Sequence, residues 1–349
     1  MMLPRETLAE TWDDQAMPAY LPARYGSVRA GGVEPARAQA IADALMKADN
    51  PIALTAYLGR SAEAVSVLER LALVCGIRIA EFNPVTMNIC QDSPCFAGSD
   101  PAALVAGADL GLLIDIDVPF IPQTLKSADR ISWIQIDLDA LKADIPMWGF
   151  ATDLRIQGDS AVILRQVLDI VVARGDDAYL RKVRERIASW QPAREAAKAK
   201  RISAAAQKGA PGAINPAHLF ARLQAHLQHR LTHVDASNFS GRIVIVERQA
   251  GADADFENLA ADCARSFSGG MALGLKLANP SRRVVQIVGD GAYHFAAPDS
   301  VYAVSQQYQL PIFTVILDNN GWQAVKASVQ RVYPEGAAQR TDAFLSRLC

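Results

Sequence analysis

The chain has 349 residues, a formal net charge of −2 and 50% hydrophobic residues, and this length favours two or three domains. The near-neutral charge balance argues against nucleic acid or an anionic membrane surface as a partner. No run of about 18 apolar residues is present, so we expect no transmembrane helix. The five cysteines form no CxxC pair, which, with no visible leader sequence, favours a cytoplasmic location.

Residues 1–30 contain several prolines, and we interpret them as a linker or as the tail of another domain. From residue 31 to residue 175, short apolar strands alternate with amphipathic helices, a pattern typical of a parallel sheet covered on both faces. We therefore predict a central Rossmann-like domain over 31–175. Its predicted elements are helices at Pro35–Lys47 and Ala62–Cys75 and strands at Ile52–Tyr57, Leu110–Ile116, Ile131–Asp137 and Leu154–Gln157.

Residues 176–213 form an Ala-rich helical stretch with many Arg and Lys residues, followed by Gly209-Ala-Pro-Gly212. One interpretation is a basic patch for an acidic partner. The other is a solvated helical linker between two domains. We favour the linker, because the basic residues are scattered around the helix and Glu185 and Glu195 interrupt them.

Residues 214–349 are predicted to form a second doubly wound α/β domain. The two doubly wound parallel-sheet domains together define the expected fold class. The predicted elements of the second domain are helices at Ala217–His229 and Asp299–Tyr308, a Gly-Gly element at Ser268–Leu277, and strands at Arg242–Glu247, Val284–Val288 and Ile312–Leu317.

Two short motifs directly follow the last two of these strands: Gly289-Asp290-Gly291 and Asp318-Asn319-Asn320-Gly321. Parallel strands place their carboxyl ends at one edge of a sheet, where α/β proteins bind ligands, so we expect Asp290 and Asn319 to lie close together. Carboxylate and amide oxygens suit Mg²⁺, which usually shares its coordination shell with phosphate oxygens. Each motif alone is typical of an ordinary turn. Their combination predicts a metal-bridged diphosphate.

With these motifs, the sequence resembles thiamine diphosphate-dependent enzymes of the acetolactate synthase and benzoylformate decarboxylase type. The resemblance implies thiamine diphosphate and Mg²⁺ as cofactors, and decarboxylation or carboligation of a 2-oxo acid or aldehyde. It also implies that residues 214–349 are the diphosphate-binding domain, incomplete at its C-terminal end, and that residues 1–30 are the tail of an absent pyrimidine-binding domain. The implied metal ligands are Asp290, Asn319 and the carbonyl of Gly321, and the implied cofactor-binding residues also include Gly289, Gly291 and Ala292.

The resemblance further implies an activating glutamate in a pyrimidine-binding domain that has no counterpart in this sequence. No catalytic residue is therefore assigned, and we expect another chain to supply the glutamate. The protein would then be a homo-oligomer, or a hetero-oligomer with a pyrimidine-domain subunit. Two positions depart from the family pattern: Arg265 stands where a large apolar residue supports the cofactor, and Asp318 replaces the first Asn of its motif.

Two other functions are weighed against this one. A non-catalytic, truncated cofactor-binding or assembly protein is the main alternative. An NAD-dependent dehydrogenase is disfavoured, because no G-x-G-x-x-G follows the first strand. FAD is possible at Tyr57-Leu-Gly-Arg60, since some enzymes of the family keep flavin in the central domain, but the sequence gives no further support. We interpret Arg60 as an ordinary residue at the start of a helix.

Overall fold

The structure of the chain is a computed structural model. It describes residues 10–11, 24, 26, 29–84, 86–90, 92–122, 125, 128, 130–145, 148–227, 242–246, 260–262, 268–281, 283–319 and 323–343. The chain divides into two compact units, Met1–Ala30 and Gly31–Cys349, and every element named below belongs to the second. Within the described ranges, no helix is both long and apolar enough to cross a bilayer.

The first sheet is parallel throughout, as predicted. Its strands are β1 Pro51–Thr55, β2 Arg78–Glu81, β3 Leu110–Ile114, β4 Ser132–Asp137 and β5 Leu154–Gln157. Their order is β2-β1-β3-β4-β5, so the chain moves outward from β1 to β2 and then returns past β1 to β3. This reversal creates a switch point between β1 and β3, at the carboxyl edge where such sheets bind ligands. Strand β2 was not predicted, because a charged residue at each end conceals its two apolar residues.

Helices with well-defined ends surround this sheet. They are α1 Pro35–Lys47, α2 Ala62–Cys75, α3 Ala102–Val105 and α4 Ser160–Arg174. The bounds of α1 and α2 coincide with the predicted ones. Helix α2 begins where the Ser61 side chain accepts a hydrogen bond from the Ala64 amide, and it ends at Gly76, whose φ of 65° suits glycine. Helix α4 is capped in the same way by Asp159, which accepts from two amides of the first turn.

Both faces of the first sheet are covered by apolar side chains, as the doubly wound fold requires. On one face, Leu68 of α2 and Leu164 of α4 belong to the same buried cluster as Ile136 of β4. On the other face, Trp133 of β4 lies in a second buried cluster with Phe120, and their ring centroids are 5.7 Å apart. The central sheet therefore has a complete core of its own.

Two helices, α5 Asp177–Ser189 and α6 Gln191–Ala206, follow, where the sequence predicted one helical stretch. Arg186 donates to the carbonyls of Cys75 and Ala48, both at 2.8 Å, and so binds the C-terminal ends of α2 and α1. Arg194 donates to the Ser93 carbonyl at 2.8 Å. These arginines contact the chain itself, and α6 has no buried residue. The contacts of Arg186 and Arg194 argue against a basic patch at those two positions, and the assignment of a linker stays a prediction. A hairpin of β6 Gly209–Ala210 and β7 Ala213–Ile214 completes the segment.

The second sheet has the order β11-β10-β8-β9 and mixed strand directions. Its strands are β8 Arg242–Val246, β9 Ala260–Asp262, β10 Arg283–Gly289 and β11 Phe313–Leu317. Strands β10 and β11 are parallel, as predicted. Strand β8 pairs antiparallel with β10, and β9 pairs antiparallel with β8, so the expectation of a wholly parallel sheet needs correction here. Apolar composition indicates that a strand is buried, but it does not encode the strand's direction.

Helices pack on both faces of the β10–β11 pair. The helices of this region are α7 Pro216–Leu227, α8 Ser268–Ala278, α9 Asp290–Phe295, α10 Pro298–Gln307, α11 Gln323–Val332 and α12 Ala337–Thr341. Phe220 of α7 packs with Val285 and Ile287 of β10. Ala272 of α8 packs with Val284 on the other face. The α/β arrangement of the second region is thus confirmed.

Candidate functional site at the carboxyl edge of the second sheet

Strands β10 and β11 end side by side. Their register begins with Val285 opposite Phe313 and ends with Gly289 opposite Leu317. The next residues, Asp290 and Asp318, therefore leave the sheet at the same carboxyl edge. This is the strand arrangement that the spacing of the two motifs predicts.

Asp290 is a buried member of the predicted set. It is the first residue of α9 and is only 7% exposed. Gly289 before it is extended, with φ −74° and ψ 154°, so its backbone angles do not demand glycine. Gly291 is buried and Ala292 is half-buried in the same turn. At the predicted glycine turn, the chain therefore passes directly from strand β10 into helix α9. This connection fixes the position of the Asp290 backbone.

The second motif is described only in its first half. Asp318 and Asn319 follow β11 without regular secondary structure, and both are exposed. Gly321, predicted to give a carbonyl to the metal, lies outside the described residues, as does Arg265. The structure thus brings Asp290 and the Asp318–Asn319 pair to one edge of the sheet.

A row of polar side chains supports this edge from within the sheet. The Tyr302 hydroxyl of α10 donates to Oγ1 of Thr314 at 3.0 Å. Thr314 in turn donates to Oε1 of Gln286 at 3.2 Å. Thr314 and Gln286 are register partners on β11 and β10. These bonds tie α10 to both strands that carry the motifs and oppose sliding of one strand along the other.

The donor chemistry of this edge fits a magnesium-bound diphosphate. A buried carboxylate requires hydrogen bonds or a cation to compensate for lost hydration, and an exposed carboxamide stands on the next strand end. In the part of the chain that the structure describes, no group of three or more His, Cys, Asp and Glu side chains could hold a metal. Mg²⁺ can bind to a single protein carboxylate when phosphate oxygens complete its coordination shell.

A second polar cluster, which sequence reasoning missed, lies at the carboxyl edge of the first sheet. Arg60 and Ser160 donate to Oδ1 of Asp115 at 2.8 and 2.9 Å. The Tyr57 hydroxyl bonds to Asp117 at 2.8 Å and to Asp137 at 3.1 Å. Arg60, interpreted from the sequence as an ordinary helix-start residue, therefore forms an ion pair with the buried Asp115, although its own side chain is 40% exposed.

Burial dominates the electrostatics of this cluster. It raises the pKa of Asp115 to about 6 from an ordinary value of 3.8, even though the Arg60 guanidinium opposes the change. Burial also raises the pKa of the Tyr57 phenol, and the charges of Asp137 and Asp117 add to the effect. Tyr57 is therefore a neutral hydrogen-bond donor. The available sequence signal was an Asp at the end of each of two apolar strands, in Ile114-Asp115 and Ile136-Asp137.

Comparison with known families assigns the C-terminal part of the chain. Residues 264–345 match the family described as thiamine pyrophosphate enzyme, C-terminal TPP binding domain. The match confirms the resemblance to thiamine diphosphate-dependent enzymes over these residues, which include both motifs. It does not distinguish the acetolactate synthase and benzoylformate decarboxylase type. No curated protein matches the chain.

Proposed function

Because residues 264–345 carry the TPP binding domain of thiamine pyrophosphate enzymes, we propose that this chain holds the cofactor's diphosphate through Mg²⁺. Asp290 and Asn319 are the side-chain ligands, and Gly321 gives a backbone carbonyl. Gly289, Gly291 and Ala292 lie along the diphosphate. The observation that supports this proposal most directly is the parallel register that ends with Gly289 opposite Leu317.

Each ligand has a distinct part in this site. Asp290 supplies the single protein charge that offsets part of the charge of Mg²⁺, and its burial weakens competition from bulk water. Asn319 adds a neutral oxygen, which leaves the cation enough positive charge to bind phosphate. The bonds from Tyr302 to Thr314 and from Thr314 to Gln286 keep the two strand ends in register. When bound, thiamine diphosphate supplies an electron sink for the carbanion that remains after CO₂ is lost.

The reaction class follows from the resemblance. We propose decarboxylation or carboligation of a 2-oxo acid, similar to acetolactate synthase, within an oligomer. The activating glutamate would come from a pyrimidine-binding domain, because no segment of residues 1–349 resembles that domain. In this proposal residues 31–175 are the central domain, 176–213 the helical linker and 214–349 the diphosphate-binding domain.

Calorimetric titration with thiamine diphosphate tests the binding proposal. The wild-type chain is expected to bind the cofactor in Mg²⁺ and to lose binding in excess chelator. Asp290→Ala is expected to weaken binding by at least about tenfold, or about 1.4 kcal/mol. Asp342→Ala is the matched control, because Asp342 is an exposed carboxylate in the same region. Equal affinities for wild type and Asp290→Ala would remove the proposal.

The non-catalytic alternative predicts the same binding but no turnover. Release of CO₂ from 2-oxo acids is therefore measured with the chain alone and with a separately produced pyrimidine domain from a thiamine diphosphate enzyme. Turnover only with the added domain favours the enzyme proposal. Tight binding of the cofactor without turnover in either sample favours a binding or assembly protein.

A further inference from the structure

Three neighbouring strand ends of the first sheet converge on one ammonium group. Lys142 follows β4, and its side chain is only 3% exposed. Its Nζ lies 2.7 Å from Asp137 at the end of β4 and 3.0 Å from Asp117 beyond β3. It also donates to the hydroxyl of Tyr57, which follows β1. The group is therefore held at the switch point between β1 and β3, where doubly wound sheets bind ligands.

The surroundings of Nζ match the bonding capacity of an ammonium ion. Such an ion has three N–H donors and no acceptor, and here three oxygens receive them. The Tyr57 ring adds a cation–π contact, with Nζ 5.1 Å from its centroid. The Asp137 carboxylate also accepts hydrogen bonds from the backbone amides of Ile116 at 3.2 Å and Asp139 at 3.0 Å. The carboxylate is thus fixed by the backbone and presented to the cation.

The backbone around the cluster is held in an uncommon conformation. Lys142 has a φ of 51° and Asp115 a φ of 46°, both in the left-handed region. Residues other than glycine adopt this region only where the surrounding structure compensates for the strain. At Lys142 the compensation includes the bonds of Nζ and a hydrogen bond from its own amide to Asp139 at 3.1 Å.

The charge of the cluster favours a cation over an anion. Asp115, Asp117 and Asp137 give three negative charges, and Lys142 and Arg60 give two positive charges, which leaves a net charge of −1. Without Lys142 the three carboxylates and Arg60 together would carry a net charge of −2. A phosphate group entering here would meet repulsion from carboxylates that lie partly out of water.

We propose that the oxygens of Tyr57, Asp117 and Asp137 at the switch point of the first sheet form an ammonium site, and that the chain fills it with its own Lys142. The bound side chain joins β1, β3 and β4 at their carboxyl ends. A nucleotide or flavin phosphate would have to displace it against the local charge. The class of ligand that these oxygens accept once the Lys142 side chain is removed is therefore a primary alkylammonium ion.

Replacement of the internal occupant by an external one tests the proposal. Lys142→Ala keeps Cβ and removes the atoms that propylammonium would restore. The variant is expected to melt about 10 °C below wild type, because two carboxylates lose their counter-ion. Propylammonium chloride should raise its melting temperature by about 2–4 °C relative to sodium chloride at equal ionic strength. Wild type should respond equally to both salts, and propanol should not replace propylammonium.

Lys182→Ala is the matched control, because Lys182 forms an exposed ion pair with Asp49 at 2.7 Å in the same region. It should show no specific response to propylammonium. If Lys142→Ala is unfolded in sodium chloride, the folded fraction recovered on refolding in each salt becomes the measurement. Equal responses of Lys142→Ala to the two salts, in melting or in refolding, would overturn the proposal, as would a melting temperature equal to that of wild type.

Discussion

Gly289 and Leu317 are the last register partners of two parallel neighbouring strands, and each is followed directly by an aspartate. This relationship brings two motifs that are about 28 residues apart in sequence to one edge of a sheet. It also restricts which side chains can share a ligand, since Asp290 starts a helix whereas Asp318 and Asn319 continue from the strand in open coil.

The two residues after β11 should differ in their effect on cofactor binding. Successive side chains of an extended chain point to opposite sides, so Asp318 and Asn319 are not equivalent. Asn319→Ala is expected to weaken magnesium-dependent binding of thiamine diphosphate by about tenfold or more, and Asp318→Asn by less than about threefold. Calorimetric titration of both variants measures the difference. The reverse order would assign the metal to Asp318 instead.

Stability should depend on pH through Asp115. Its pKa is about 6 in the fold against 3.8 ordinarily, so the folded state binds a proton more tightly. This contribution is fully present below about pH 4 and is lost as pH rises through about 6, a change of at most about 3 kcal/mol. Urea midpoints over this range should fall in wild type and stay nearly constant in Asp115→Asn. A parallel decline in both proteins would contradict the prediction. Asp169→Asn, an exposed change on α4, serves as the control.

Removal of a buried amide should stabilise the first sheet. Gln135 of β4 is 1% exposed, and its side-chain amide has no hydrogen-bond partner among the described residues. Gln135→Met keeps the length of the side chain and should raise the free energy of unfolding by about 1–2 kcal/mol in urea titrations. The control is Gln166→Met, which loses two bonds to the backbone of Val33 and should cost about 1 kcal/mol. Destabilisation by both variants would show that Gln135 has a required partner.

Two glycines of α8 should respond oppositely to alanine. A Cβ at Gly269 would lie 2.6 Å from Cγ2 of Val301 on α10, whereas one at Gly274 would meet nothing within 4 Å. Valine is stiff at χ1 and cannot easily move aside. Gly269→Ala should therefore lower the free energy of unfolding by about 1–3 kcal/mol, and Gly274→Ala should raise it by about 0.5–1 kcal/mol. Thermal or urea unfolding measures the free energy of unfolding of both variants. Stabilisation by both substitutions would mean that α8 and α10 are less tightly packed than described.

The sequence predicted elements best where the signal is local. Helix α2 has apolar residues at helical spacing, a capping Ser61 and a terminating Gly76, and its predicted bounds coincide with those observed. The edge shared by Asp290 and Asn319 was also predictable, because parallel strands joined by one crossover must end on the same side. The existence of strand β2 and the directions of β8 and β9 were not predictable, because no local sequence pattern identifies them.

The sequence by itself determined the α/β class of this chain and the pair of motifs that predicts a diphosphate site, because helix caps, apolar periodicity and strand-end motifs are written within short stretches. Only the tertiary structure decided that Tyr57, Asp137 and Lys142 form one ion cluster. Tyr57 and Lys142 are 85 residues apart in sequence, and Lys142 on its own is an ordinary charged residue. The order of strands in the sheet brings these residues together, and their burial strengthens the electrostatic interactions between them.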